Sequence, residues 1–279
     1  MSIEYFGEYR VLSLVNVGQS SRIYRAYDDR ARRSVCVKTL LDGVLVKEQV
    51  ELLKWEYDVL LKLNYPKLCQ VYSFGWCREV PYIVMEWFPA SNVKLLISRG
   101  YDQYYDHIER IIFDMADSLS YLHLRGWVHR DVKPDNFLFD VGGCGIRLID
   151  FAIARRCVGG IARFLARRSP PQGTASYIAP EQIKGLPPEC SADIYSLGCA
   201  YYEILTTRVP FSGDSVNDLL KKHIASPPPV VAAKNKNVTK EFSDLVKIMM
   251  SKSQNDRPKN ATELLKLLKT TRIFQKKHT

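Results

Sequence analysis

Hydrophobic and polar positions alternate through the first eighty-odd residues of the chain. The runs YRVLSLV (9–15), SRIYRAYD (21–28) and RSVCVKTL (33–40) are rich in β-branched and aromatic residues and are separated by turn-prone Asn, Gly, Ser or Asp. That pattern predicts strands in an antiparallel meander. From Lys47 to Asn64 the spacing becomes helical, with Leu53, Tyr57, Leu60 and Leu63 on one stripe and Pro66 as the stop. Two more strand-like runs, CQVYSFGWC (69–77) and PYIVMEWF (81–88), precede Pro89. Beyond it helical periodicity dominates, as in Ile111, Ile112, Met115, Leu119 and Leu122. Strands, one helix, strands and then mostly helices predict an α+β protein with two lobes and a joint near residues 86–90. The Pro-rich segment SPPPVVAAKNKN (226–237) reads as a surface loop between helices, and no internal repeat is present.

Composition narrows the class. A chain of 279 residues with 46% hydrophobic, 11% aromatic and 25% charged residues can bury a core and is neither disordered nor fibrous. No apolar run approaches the ~18 residues of a membrane helix, and MSIEYFGEYR lacks an apolar signal core. The expectation is a soluble, cytoplasmic protein with no membrane partner. Seven scattered cysteines, with no C-x-x-C pair, read as reduced core residues. A net charge of +10 attracts anions, and five arginines (155, 156, 163, 167 and 168) contribute a local excess. No interleaved aromatic and basic face marks nucleic acid as the primary partner.

The chemistry concentrates in LHLRGWVHRDVKPDNFLF and in LIDFA, whose Asp150 follows Asn136 by fourteen residues. Phosphoryl transfer needs a base for a hydroxyl proton, a lysine able to reach the moving phosphoryl group, and hard oxygen ligands for magnesium. Asp131, Lys133, Asn136 and Asp150 form such a set. Any one of them alone would read as a solvated loop residue.

HRDVKPDN, the lysine strand VCVK (35–38) and APE (179–181) together resemble the protein kinase signature, over nearly the whole chain. The resemblance implies a kinase domain over 1–279: a β-rich N-lobe over about 1–86 with one helix, a hinge at about 86–90, and a helical C-lobe over about 91–279 with its activation segment at 150–181. It implies ATP and Mg2+ as cofactors, Lys38 on the α and β phosphates, Glu56 as its helical partner (with Glu48 and Glu51 as weaker choices), and Asn136 and Asp150 on the metal. Val15, Ile23, Cys36 and Leu138 would line an adenine slot, with Gly18 in the loop over the phosphates, Glu86 and Phe88 at the adenine edge and Met85 behind it. Arg257 in NDRP (255–258) would pair with Glu181. Lys133 and the Gly-Thr pair at Thr174 resemble serine/threonine kinases, which implies protein substrates. The compact domain is similar to bacterial Hanks-type kinases. HRDVKPDNFL is also similar to casein kinase one, a family without the APE box.

Two positions depart from the pattern. NVGQSSRI (16–23) keeps Gly18 but has Asn16 and Ser21 where two further glycines are usual. DFA replaces DFG, and an alanine in left-handed backbone costs roughly 1–2 kcal/mol. These departures leave open an inactive, scaffold-like alternative. Arg130, directly before Asp131, implies control by phosphorylation of the activation segment, whose acceptors are Ser169, Thr174, Ser176 and Tyr177. Thr174 reads as structural and Ser169 as the phosphorylated residue, with self-association for autophosphorylation as part of that reading.

Overall fold

A computed structural model describes residues 5–41, 46–157, 172–187 and 189–276. By internal contacts the chain forms two compact units, one of residues 1–89 with 149–152 and one of 90–148 with 153–279.

In the first unit, β1 (Tyr5–Phe6), β2 (Tyr9–Val17), β3 (Ser21–Asp28), β4 (Arg33–Leu40), β5 (Val71–Cys77) and β6 (Val80–Glu86) form one antiparallel sheet in the order β1-β2-β3-β4-β6-β5. Ala26, Val35, Val37, Tyr82 and Val84 are buried on it, as period-two alternation requires. Irregular register at Val11/Ser13 and at Leu14/Asn16 bends β2. The helix α1 (Lys47–Leu60) buries Leu53, Glu56, Val59 and Leu60, so its apolar stripe also carries one acid.

The second unit is mostly helical: α2 (Val93–Ser98), α3 (Ile108–Leu124), α4 (Pro180–Ile183), α5 (Cys190–Thr206), α6 (Val216–Ala225), α7 (Lys240–Met249) and α8 (Ala261–Thr270). Short polar side chains start several of them: Asn92, Ser215, Thr239 and Asn260 each accept an N–H three residues on. Short strands add what helical periodicity did not predict. β7 (Ser91–Asn92) pairs with β9 (Phe137–Asp140), which pairs with β10 (Gly145–Leu148), while β8 (Trp127–Val128) pairs with β11 (Arg155–Arg156). These strands bracket the residues of HRDVKPDN.

The segment 226–237 is more than a surface loop. Val231 is fully buried, and the Asn235 amide donates to Tyr101 Oη and to the Leu205 carbonyl, each at 2.8 Å. The cysteine expectation needs a similar correction. All seven are free thiols, but only Cys69 and Cys199 are buried, and Cys144 is exposed. Among the described residues no helix is long and apolar enough to cross a membrane.

One buried histidine makes the fold sensitive to acid. His223 is fully buried, with Nδ1 3.0 Å from Tyr195 Oη, the Phe211 ring 4.9 Å away and Lys252 donating to its carbonyl. Burial and then the Lys252 charge push its pKa from 6.5 down to about 4. Below pH 6.5 the unfolded chain takes up a proton that the folded chain refuses, so stability falls as pH drops from 6.5 to 4, by roughly 3 kcal/mol. Urea midpoints at pH 6.5 and 4.5 should diverge less in His223→Gln than in the wild type, and parallel losses in the two proteins would exclude His223 as the cause.

Candidate active site

In the first unit a lysine is held between two carboxylates. Lys38 faces Ile83 in the β4–β6 ladder, and its Nζ donates to Glu56 Oε2 at 2.6 Å and to Asp150 Oδ1 at 3.1 Å. Burial pulls the Lys38 pKa down, but Asp150 and Glu56 more than reverse this and hold the ammonium charged. Burial pushes the Glu56 carboxyl up while Lys38 opposes it. The side chain of Glu56 is only 2% exposed whereas that of Asp150 is 38% exposed, so Asp150 keeps access to solvent while Glu56 acts inward. Glu48 and Glu51 lie on the exposed face of α1, where Glu51 is 3.9 Å from Lys47.

Asp150 itself has φ +65°, and Ala152 is not in left-handed backbone. The strain expected at Ala152 is therefore absent, because the chain turns at the aspartate instead, a residue type that tolerates this region. Gly18 is not left-handed either. It donates its N–H to the Ser21 carbonyl at 2.8 Å, and a Cβ there would find its nearest neighbour at 3.6 Å. The β2–β3 turn thus closes without three glycines.

The adenine-slot residues of this unit share one stretch of sheet. Cys36 sits opposite Met85 in the β4–β6 register, and burial raises its thiol to about 12, which keeps it neutral. Met85 and Phe88 are buried, Ile23 is half-buried, and Val15 lies on the exposed stretch of β2. The Glu86 N–H donates to the Gln70 carbonyl at 2.8 Å, and the Glu86 carbonyl accepts the Cys69 S–H at 4.0 Å.

In the second unit three residues share one carboxylate. Asp131 Oδ1 accepts the Thr174 N–H at 2.8 Å and the Thr174 hydroxyl at 2.9 Å. Asp131 Oδ2 lies 2.7 Å from Lys133 Nζ and accepts from Asn136 Nδ2 at 3.2 Å. Lys133 also donates to Thr174 Oγ1 at 2.6 Å. Asn136 gives its amide hydrogens to Asp131, its Nδ2 reaching the backbone carbonyl at 2.8 Å as well. Its carbonyl oxygen is therefore the atom left for a cation. Leu138, half-buried on β9, follows two residues on.

Support for this loop comes from residues that sequence reasoning left without a role. Asp193, fully buried in α5, accepts the N–H groups of His129 at 2.7 Å and Arg130 at 2.8 Å, and its Oδ2 lies 3.0 Å from His123 Nε2. Gln182 donates to the Arg130 carbonyl at 2.9 Å. An acid inside an otherwise apolar helix was the available signal for Asp193. Arg130 is buried, with φ +71°, one bond to Gln172 Oε1 at 3.2 Å and no partner for Nε among the described residues. Burial, and then the charge of Arg155, lower its pKa. Tyr177 is buried with its hydroxyl donating to Glu203 Oε2 at 2.5 Å, and Lys94 pairs with the same carboxylate. It is therefore not an exposed acceptor. Ser169, with Arg163, Arg167 and Arg168, lies outside the described residues.

Among the described residues no three His, Cys, Asp or Glu side chains gather as a metal cage. The Asn136 carbonyl in the second unit and the Asp150 carboxylate in the first are each the kind of hard oxygen donor that a divalent cation such as magnesium takes.

Comparison with known proteins bears on the family of the chain. The family model described as "Protein kinase domain" matches residues 9–268. A Streptomyces coelicolor protein named as a probable serine/threonine-protein kinase is 30% identical over 263 residues, 92% of this chain and 39% of its own length. A Clostridium perfringens protein similarly named is 33% identical over 261 residues, covering 92% and 37%. The serine/threonine-protein kinase PknB of Mycolicibacterium smegmatis is 29% identical over 262 residues, covering 92% and 41%. The chain thus spans about two fifths of the length of these relatives. With the family match running through both units and every motif described above, the chain belongs to the protein kinase domain family.

Proposed function

We propose that this chain transfers the γ-phosphate of ATP to serine or threonine hydroxyls of proteins. The observation that carries the reading is the Asp131 carboxylate, held by Thr174 and flanked by Lys133 and Asn136. A loose phosphoryl-transfer transition state asks the protein for positioning and charge more than for covalent chemistry. Asp131 would orient the acceptor hydroxyl and take its proton, and Lys133, bridging Asp131 and Thr174, would put a positive charge beside the moving phosphoryl group. Lys38, fixed by Glu56, would hold the α and β phosphates. Mg2+, when bound by Asn136 and Asp150, would neutralise charge developing on the β and γ phosphates. Cys36, Met85, Val15, Ile23 and Leu138 would supply apolar surface to adenine, with the Glu86 carbonyl and Phe88 backbone at its polar edge and Gly18 leaving the β2–β3 turn open to phosphates.

Protein substrates follow from the Thr174 contact, because the acceptor platform is then the segment leading to Glu181, and the names of the relatives point the same way. Ser169 is proposed as the regulatory acceptor, modified between two copies of the chain, with Arg130 and Arg155 as the cations that would receive its phosphate. The scaffold alternative loses its main support, since Ala152 carries no strain and Gly18 closes its turn.

The test is transfer of labelled γ-phosphate from ATP with Mg2+ to the protein itself and to generic basic and acidic proteins. Wild-type labelling should fall by at least ~10²-fold in Asp150→Asn, the magnitude of losing a positioned electrostatic group. Equal labelling in both proteins would exclude Asp150 from the reaction, and no labelling of any substrate would overturn the proposal.

A further inference from the structure

Two thiols outside the phosphate chemistry face each other in the second unit. Cys157 follows β11, and its N–H donates to the Gly126 carbonyl at 2.9 Å, which fixes the start of the segment against the end of α3. Cys190 is the first residue of α5. They are 33 positions apart, yet the Cys190 thiol donates to Cys157 Sγ at 3.8 Å. Both are half-buried, so neither is sealed from a small reagent.

The surroundings separate the two sulfurs by role. Cys157 Sγ receives the Cys190 S–H and, at the start of a 17-residue helix, the Cys190 backbone N–H, so negative charge on it is favoured. These contacts lower the Cys157 thiol from 9.0 to about 6, and the same sharing raises Cys190. A thiolate beside a protonated thiol is the arrangement of an attacking and a resolving cysteine. Cys144 makes the contrast: it is exposed, but Asp140 beside it raises its pKa.

We propose that Cys157 and Cys190 are a modification site at which a hydroperoxide forms a reversible intramolecular disulfide. The Cys157 thiolate attacks the peroxide, an S–O bond forms as the O–O bond breaks, and the leaving oxygen takes a proton as water or alcohol. The sulfur of Cys190 then attacks the Cys157 sulfenic acid, whose hydroxyl leaves as water with the Cys190 proton. Two thiols lose two electrons and the peroxide gains them. Closing the sulfurs from 3.8 Å to the ~2.05 Å of a disulfide asks for a shift of under two ångströms. The link would join Cys157, just after β11, to the start of α5, one turn from Asp193, which holds the His129 and Arg130 N–H groups.

The full chain would be treated with graded hydrogen peroxide, alkylated, digested without reduction and examined by mass spectrometry, alongside Cys157→Ser and Cys190→Ser. The expected result is a peptide pair joined through Cys157 and Cys190, at a peroxide dose at least tenfold below that which oxidises Cys144, and reversed by dithiothreitol. Cys190→Ser should instead leave a sulfenic acid on Cys157 that a dimedone probe traps, and Cys157→Ser should leave Cys190 alkylatable. The proposal is overturned if both thiols remain alkylatable at the dose that oxidises Cys144. It is equally overturned if the joined peptides come from two chains, as mixed isotopically labelled protein would show. None of these readouts depends on phosphate transfer.

Discussion

Asp131→Asn should lower kcat by about 10²- to 10⁴-fold while leaving KM for ATP within about threefold and lowering the melting temperature only modestly. The reasons lie in the four donors around the carboxylate. Oδ1 accepts from Thr174 twice, and Oδ2 faces Lys133 and Asn136. An asparagine of the same shape must turn its NH2 group either toward Thr174 or toward Lys133 and Asn136, and all of these donate hydrogen. Two of the four contacts become repulsions, and the atom that would take the acceptor proton no longer carries a lone pair and charge together. Nucleotide affinity should be spared because Lys38 and Glu56 hold each other in the other compact unit. Asp131→Asn with more than a tenth of wild-type kcat would show that proton acceptance at this position contributes little. A parallel rise in KM for ATP would place Asp131 in nucleotide binding rather than on the acceptor side.

How far the residues foretold this arrangement depends on the distance over which the pattern acts. Alternation and helical spacing located β2 to β6 and α1, because burial of one face is a local demand that the chain writes every second or third residue. Lys38 and Glu56 were singled out by the resemblance to the kinase signature, and their side chains lie 2.6 Å apart. The short strands β7 to β11 were not, since two- to four-residue pairings leave too little periodicity to read. The strain assigned to Ala152 was misplaced because sequence tells that a turn occurs but not which residue takes the positive φ, which is Asp150. Asp193 had no role until its partners, two backbone N–H groups 63 and 64 positions away, came into view. The Cys157–Cys190 contact was invisible for the same reason, as counting cysteines says nothing of which lie together.

Arg257→Ala should destabilise the second unit by about 3–5 kcal/mol, because it leaves the Glu181 carboxylate buried without its cation. The pair is nearly sealed, with side-chain exposures of 0% and 4%. Every donor of the guanidinium is used: Nη1 and Nη2 bind the two Glu181 oxygens at 2.7 and 3.0 Å, and the other N–H groups reach the carbonyls of Ser251, Ser191 and Lys252 at 2.7, 2.9 and 3.3 Å. Lysine cannot copy that fork, so Arg257→Lys should recover only part of the loss. At ~2–4 °C per kcal/mol for a domain of this size, the alanine variant should melt roughly 6–20 °C below the wild type. The cost lies in the orphaned charge more than in the pair itself, so Glu181→Leu combined with Arg257→Met should melt above Arg257→Ala although it removes both partners. A double variant as unstable as the sum of its single changes would instead mean that the three backbone carbonyls, stripped of their donors, carry the cost. Since Glu181 lies in α4 and Gln182 beside it holds the Arg130 carbonyl, the same loss should weaken the loop that presents Asp131. Activity of the alanine variant should therefore decline with rising temperature well before global melting, whereas Asp131→Asn should be equally inactive at every temperature.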